Sequence, residues 1–586
     1  MLFRDLVEVF DSLEATASRL EMTDVLAEFL ATASCDDIAK IVYLTQGKLF
    51  ADFNPEKIGM ADKLLLRAMA FTSGIREEEI KETWLRKGDP GEVARDVFAR
   101  KKQTALFSEP LTLERVHSGL VRMARAQGSG SQELRMKLVA EMLHDATPDE
   151  AKYLARIVTG RMRLGVASAT VVDALSIAFG EKDRKPEVER AFNITSDLGL
   201  VASTLCRDGM NGLDSLQVRV GNPIRAMLAE RLASPEEILE RLDGRAAFEY
   251  KYDGVRVQAH ISKDGTRLYS RRLDDLTPQF PDVVSALEGS FQGDEAIVEG
   301  ECVPVDINTG EMLPFQEVSH RRGRKHGLED AIEEYPVRIF LFDCLFIDGM
   351  DLTMESLPRR REALEGAFQV SEGVTFSKKE VLDDPDKVQE FFTRALQDGC
   401  EGLMAKSLGE GSIYRAGARG FLWIKYKKEY RSEMTDTVDL VAVGAFAGRG
   451  RRGGVYGALL MATYNDIEDR FETICKLGSG FDDEFLAILP GMLDAHKLEG
   501  RHHLVDSKME ADYWFEPFLV LEVLGSEISL SPIHTASFSK VREGAGLAIR
   551  FPRFTGRVRE DKGPRDATTS SEMEGMYRHQ LKRVDS

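Results

Sequence analysis

The sequence has no two cysteines in a C-x-x-C pair. Its six, Cys35, Cys206, Cys302, Cys344, Cys400 and Cys475, stand singly along 586 residues. That spacing excludes a zinc finger and a dithiol redox motif. Scattered single thiols suit a reducing cytosol. No uninterrupted apolar run approaches the roughly 20 residues of a membrane-spanning helix. The opening Met1-Leu2-Phe3-Arg4-Asp5-Leu6 is amphipathic and carries an early acid, so it does not read as a signal peptide. Internal repeats and low-complexity tracts are missing too. A soluble intracellular chain is expected, with no membrane partner. Basic residues are outnumbered: 78 Lys and Arg stand against 98 Asp and Glu, a formal net charge of -20. A uniformly basic surface is excluded. Net charge governs solubility and steering but not where charges sit. If this chain grips a polyanion, its cations must be clustered and its acids kept on outer faces.

Hydrophobic residues make up 43%, enough for packed cores. The length suits about three to four domains. The first two hundred or so residues read as helical. Leu134, Leu138 and Met142 recur at helical spacing. Thr147-Pro148-Asp149-Glu150 predicts a helix start, with Thr147 as N-cap, Pro148 in the first turn and Glu150 closing a capping box. Tyr153, Leu154, Ile157 and Val158 form its stripe, and Gly160 its stop. Gly128-Ser129-Gly130-Ser131 is a short flexible connection.

From about Ala246 the period changes. Val255, Val257, Ala259 and Ile261 alternate with Arg256, Gln258 and His260, which predicts a half-buried strand. Ile297 to Val305 and Val337 to Phe346 are further strands, the second ending at the turn Asp348-Gly349. Glu401 to Lys406 and Phe421 to Lys427 follow, giving an α+β domain between roughly 217 and 430. Beyond Tyr430 the chain is strand-rich again. Val438 to Phe446 runs into Gly448-Arg449-Gly450-Arg451-Arg452-Gly453-Gly454, read either as a solvated hairpin tip or as a phosphate-contacting loop.

The chemistry centres on Glu249-Tyr250-Lys251-Tyr252-Asp253-Gly254-Val255-Arg256. A bare K-x-D-G arises by composition alone, and Asp253-Gly254 could be a hairpin turn. Its company lifts it: Ser270-Arg271-Arg272, Glu299-Gly300-Glu301, Phe342-Asp343, Glu401-Gly402-Leu403-Met404-Ala405-Lys406, Arg419, and Trp423-Ile424-Lys425-Tyr426-Lys427-Lys428. A basic cluster at Arg550, Arg553, Arg557, Arg559 and Lys562 closes the set. In that order and spacing the segments resemble the motifs of the covalent nucleotidyltransferase superfamily, most closely the archaeal and eukaryotic ATP-dependent DNA ligases. The resemblance covers nearly the whole chain.

It implies an all-α DNA-binding domain over 1–216, an α+β adenylation domain over 217–430, and a C-terminal β-barrel OB-fold over 431–586. It implies that nicked double-stranded DNA is sealed through a lysyl-adenylate on Lys251 by a monomer, cytoplasmic or, in a prokaryote, nucleoid-associated. The cofactors implied are ATP and Mg²⁺, or Mn²⁺. A lysine nucleophile must shed its proton, which burial and neighbouring cations promote; Arg256, Lys425 and Lys427 are the expected neighbours. The resemblance gives Glu249 an adenine-edge contact, Arg256 and Arg271 ribose or phosphate contacts, Phe342 the stack on the purine, and Arg419 a nucleotide contact. Phe342 can equally be core on a buried strand. Glu301 touches ribose or metal and Glu401 holds metal, as hard cations prefer carboxylate oxygen. Lys425 and Lys427 share one strand face, either for a triphosphate or for solvent.

In the helical region Arg156, Arg161 and Arg163 bracket Gly160 and Gly165, where phosphate contact competes with plain helix capping. Arg557, Arg559 and Lys562 resemble the motif that orients pyrophosphate; the plain alternative is a surface charge run. Gln103, Leu106 and Phe107 resemble a sliding-clamp-binding peptide, or else form a loop entering the helix at Thr112. Two rivals stay open. One is an mRNA-capping guanylyltransferase or RNA ligase, which uses the same lysine chemistry. The other is a catalytically dead, clamp-associated scaffold. An NAD-dependent bacterial-type ligase is disfavoured because no four-cysteine zinc site exists.

Overall fold

The structure is a computed structural model that describes residues 1–101, 109–180, 182–305, 312, 336–427, 437–448, 456–525, 527–550 and 552–582. The peptide with Gln103, Leu106 and Phe107, and the Gly/Arg run from Arg449 to Gly454, lie outside them. The chain forms two compact units, Met1–Leu64 with Leu106–Lys428, and Leu65–Ala105 with Glu429–Ser586.

In the first unit the helical region packs around Pro148–Val158. Its start follows the predicted chemistry: Glu150 N donates to Thr147 Oγ1 at 3.3 Å, and Thr147 N donates to the Glu150 carboxylate at 2.8 Å. Gly160 ends it with φ +66°, the left-handed cap that glycine adopts without a Cβ penalty. The helix Ser131–Asp145 buries Leu138 and Met142 but leaves Leu134 44% exposed, so the expected stripe covers only its later turns.

The expectation of single thiols is corrected at Cys35 and Cys206, which form a disulfide with Cα atoms 5.5 Å apart. Helix packing brings them together. Gly199 lies flat on Tyr43, where an added Cβ would come 2.3 Å from the ring. Cys206, two turns along the helix Leu198–Asp208, then meets Cys35 just before the helix Ile38–Thr45.

Among the described residues, two sheets build the α+β part of this unit. The first runs in the order β1 (Leu228–Arg231), β11 (Arg419–Lys427), β10 (Gly402–Lys406), β2 (Ala246–Lys251) and β9 (Lys379–Leu382). Ala246, Phe248 and Tyr250 pack beneath the helices Pro235–Arg241 and Pro385–Gln397. By strand alternation Ala247, Glu249 and Lys251 line the opposite face. The second runs β4 (Arg267–Ser270), β3 (Val255–Ile261), β5 (Ala296–Pro304), β6 (Val337–Ile347) and β7 (Met350–Asp351), with β8 (Val374–Phe376) beside β6. The helices Pro281–Ser290 and Leu357–Ala367 cover one face. The turn at Asp348-Gly349 is as expected, with φ +45° and +86°.

One alternative closes here and one expectation changes. Asp253-Gly254 is not a hairpin turn: β2 pairs with β9 and β10, β3 with β4 and β5, so the dipeptide carries the chain from one sheet to the other. And β3 is buried on both faces, because the chain at 221–224 seals its polar side. Gly221 N donates to His260 Nδ1 at 2.9 Å, and Ile224 N donates to Gln258 Oε1 at 2.7 Å.

The second unit is sheet-rich after residue 437. Val438–Ala447 pairs with Tyr456–Asn465, which pairs with Arg470–Leu477; Val520–Leu524 joins Val438–Ala447 to Arg553–Val558. Buried Glu472 accepts from Ser537 N at 2.9 Å and Ser570 Oγ at 2.7 Å, tying the helix Ser570–Lys582 to the sheet. No described helix is long and apolar enough to cross a membrane.

Candidate active site

Lys251 closes β2, and the neighbouring strands set its surroundings. Gly402 faces Lys251 on one side and Lys427 on the other. Its φ is +141° and an added Cβ would lie 2.3 Å from Tyr426 O, so only glycine fits after Glu401. Glu401 N donates to Lys251 O at 2.9 Å, which anchors the backbone pair. The Glu401 carboxylate then accepts from Lys251 Nζ and from Lys427 Nζ, the latter at 2.6 Å. One acid thus bridges two ammoniums. Burial would push the Glu401 carboxyl up, but Lys251 and Lys427 hold it below the ordinary carboxylate value. Lys425 is depressed by burial and by the positive field of Arg419, Lys427, Lys251 and Arg271. Those five cations therefore share one neighbourhood, although Arg419 opens β11 where a loop was expected.

The second sheet brings Glu301. Gly254 is pressed against β5, where a Cβ would fall 2.4 Å from Cys302 O and 3.0 Å from Glu301 Cγ. Burial pushes the Glu301 carboxyl up to about 7; Lys251 and Arg256 oppose the rise, while Glu401 and Asp253 add to it. Arg256 stands across from Glu301 in the β3–β5 ladder. Its guanidinium donates to Glu299 Oε2 at 2.8 Å and Met227 O at 2.9 Å. It also lies 5.5 Å from the Phe342 ring centre and 5.4 Å from that of Trp423. Phe342 is only partly buried, edge-on to Trp423 at 6.1 Å.

Glu249 is 2% exposed. Its Oε2 accepts from Ser377 Oγ at 2.9 Å and Lys406 Nζ at 2.8 Å. Its Oε1 has no hydrogen-bond partner among the described residues and lies 4.0 Å from Arg361 Nη1. Glu249 is among the residues lining a cavity of 330 Å³, with Ala247, Leu357, Arg361, Lys379 and Leu408. Sequence reasoning missed Lys406, Ser377 and Arg361. Lys406 is equally buried and pulled below the ordinary lysine value by that burial. Its signal was the alternation of Gly402, Met404 and Lys406 along β10. Ser377 and Arg361 reach the site only through tertiary packing. Among the described residues no three His, Cys, Asp or Glu side chains gather as a metal centre. Glu301 and Glu401 still supply two hard carboxylates, as many as a divalent ion shared with a phosphate chain takes from protein.

Elsewhere, Arg156 corrects an expectation. It is 2% exposed and donates to both Glu14 oxygens at 2.8 and 2.9 Å, which holds that carboxyl at about 2 despite burial. A guanidinium so enclosed ties two helices together and is not presented to a phosphate. Arg161 pairs with Asp62 at 3.2 Å and stays half-buried; Arg163 is exposed, with φ +56°. In the second unit Arg559 and Lys562 meet on Asp439 at 2.6 and 2.7 Å, while Arg557 is exposed and 3.6 Å from Glu522.

Comparison with known proteins decides the family. Residues 226–427 match the model of the ATP dependent DNA ligase domain, 2–176 that of the DNA ligase N terminus, and 452–562 that of the ATP dependent DNA ligase C terminal region. The chain belongs to the ATP-dependent DNA ligases. It is 49% identical to DNA ligase 2 of Thermofilum pendens, covering 98% of this chain and 97% of that protein. It is 46% identical to the DNA ligase of Staphylothermus marinus across the whole of both. A solved structure named Pmar-Lig_Pre. shares the fold with TM-score 0.53 at 15% identity, covering 95% of this chain and 99% of that one. The function is that of the family: sealing DNA nicks at the expense of ATP, with a divalent metal ion. Membership closes the capping-enzyme and scaffold readings. The organisation is a helical N-terminal region, a central adenylation domain and a sheet-rich C-terminal region.

Proposed function

We propose that Lys251 is the residue on which this ligase carries AMP. The observation that supports it is the bridge from Lys251 through Glu401 to Lys427, set where a strand end, a glycine and a second carboxylate converge. Lys251 Nζ attacks the α-phosphorus of ATP; a P–N bond forms as the bond to pyrophosphate breaks. The AMP then passes to the 5′-phosphate at a nick. The 3′-hydroxyl attacks that phosphate, the phosphodiester forms and AMP leaves. Lys425, Lys427, Arg271 and Arg419 hold the triphosphate, as a cluster of cations around a polyanion would. Arg256 faces the ribose side and Phe342 stacks on the purine. Glu249 offers Oε1, which accepts no hydrogen bond among the described residues, to the adenine amino group. Glu301 and Glu401 would hold Mg²⁺ or Mn²⁺, which supplies charge neutralisation at the phosphate oxygens.

The same reading assigns 1–216 to an all-α DNA-binding domain, 217–430 to adenylation and 431–586 to an OB-fold. Arg161 and Arg163 contact DNA phosphates, and Arg557, Arg559 and Lys562 orient pyrophosphate. The protein acts as a cytoplasmic monomer and docks on a sliding clamp through Gln103, Leu106 and Phe107. Sealing of a nicked duplex with Lys251→Ala tests the central assignment. Sealing from ATP falls by at least about 10³-fold, in line with loss of a covalent nucleophile, while a nick already carrying 5′-adenylate is still closed. Undiminished sealing from ATP overturns the reading.

A further inference from the structure

Behind Glu249 runs a chain of buried hydrogen bonds. Glu249 sits on β2 with Oε2 accepting two hydrogen bonds and Oε1 accepting none among the described residues. Oε2 is held by Ser377, whose own hydroxyl is held by the helix Leu357–Ala367. Arg361 Nη1 donates to Ser377 Oγ at 3.0 Å and Arg361 Nη2 donates to Ser377 O at 3.0 Å. A guanidinium has no acceptor, so Ser377 Oγ must accept from it. Its one hydroxyl proton is then committed to Glu249 Oε2. Arg361 is itself fixed by Glu365 at 2.6 Å, and Ser377 N donates to Leu341 O at 2.8 Å, one residue before Phe342. The chain of bonds runs from helix to loop to base reader, buried throughout: Arg361, Ser377 and Glu249 are all under 6% exposed.

We infer that Arg361 and Ser377 are specificity-determining positioning residues, which lock one Glu249 oxygen so that the other stands as a pure acceptor for an amino-bearing purine. The inference rests on the reading of Glu249 as the base-edge contact. An ionised carboxylate with one fixed oxygen accepts from the adenine amino group and repels a carbonyl oxygen in that place. Freed of Ser377, the carboxylate can turn and share its oxygens with Lys406 and Arg361.

The test compares lysyl-adenylation by ATP with the corresponding reaction of ITP, whose base carries a carbonyl where adenine has the amino group. Each variant supplies its own ratio, so a partly unfolded fraction cancels. Ser377→Ala narrows the ATP:ITP preference in kcat/KM by about tenfold or more, the worth of one hydrogen bond to a charged group, with the loss falling chiefly on KM for ATP. Ser377→Thr, which keeps the hydroxyl, restores the preference. Glu249→Gln serves as the reference. If Glu249→Gln alters the ratio and Ser377→Ala does not, the positioning role is wrong and the base contact stands. If neither alters it, the base contact itself is wrong.

Discussion

His260 carries a charge argument within a single side chain. It is 1% exposed, accepts from Gly221 N through Nδ1, and so presents its protonated Nε2 to Gln258 Oε1 at 3.0 Å. Burial, with Arg267 nearby, drives its pKa from 6.5 down to about 3. The unfolded chain binds a proton below about 6.5 and the folded one does not until about 3, so the unfolded state holds more protons between those values. The stability His260 contributes is therefore full above pH 6.5 and lost as pH falls toward 3, with a slope of up to about 1.4 kcal/mol per pH unit. Denaturant titrations between pH 5 and 7 check this against His260→Gln, whose curve should be flatter; parallel curves contradict it. The burial behind this behaviour was not legible in the alternation of β3, because the segment that covers its polar face lies more than thirty residues away.

Between elements, the disulfide is the clearest feature that sequence spacing concealed. Cys35 and Cys206 are 171 residues apart, and only the seating of Gly199 on Tyr43 brings them to one place. Closing so long a loop removes freedom from the unfolded chain. Alkylating the denatured, unreduced protein should modify four thiols, Cys302, Cys344, Cys400 and Cys475, and reduction should expose two more and lower the Tm. Six modified thiols before reduction would show the pair to be open. By contrast the helix at Pro148 was legible in full, since its cap, first-turn proline and terminal glycine are local chemistry. The strands at Ala246 and Val255 were legible as strands. Their membership of different sheets was not, because alternation gives a face and not a partner.

Across the whole molecule, the deficit of basic residues is met by clustering: Lys251, Arg271, Arg419 and Lys427 all lie close enough to act on Lys425 in a chain of net charge -20. The motif order pointed to these residues: Lys251 and Arg419 stand at strand ends, and Lys425 and Lys427 alternate along β11. The supports behind them, Lys406, Ser377 and Arg361, arrive from separate elements and leave only faint traces in the sequence. The proposed chemistry turns on Lys251. Incubation with α-labelled ATP and a divalent metal, followed by denaturing electrophoresis and peptide mapping, tests it directly. Label on the peptide containing Lys251, absent from Lys251→Ala and chased onto nicked DNA, is the result the account predicts. Covalent label persisting in Lys251→Ala, or no covalent label on the wild-type chain that nonetheless seals nicks, would contradict it.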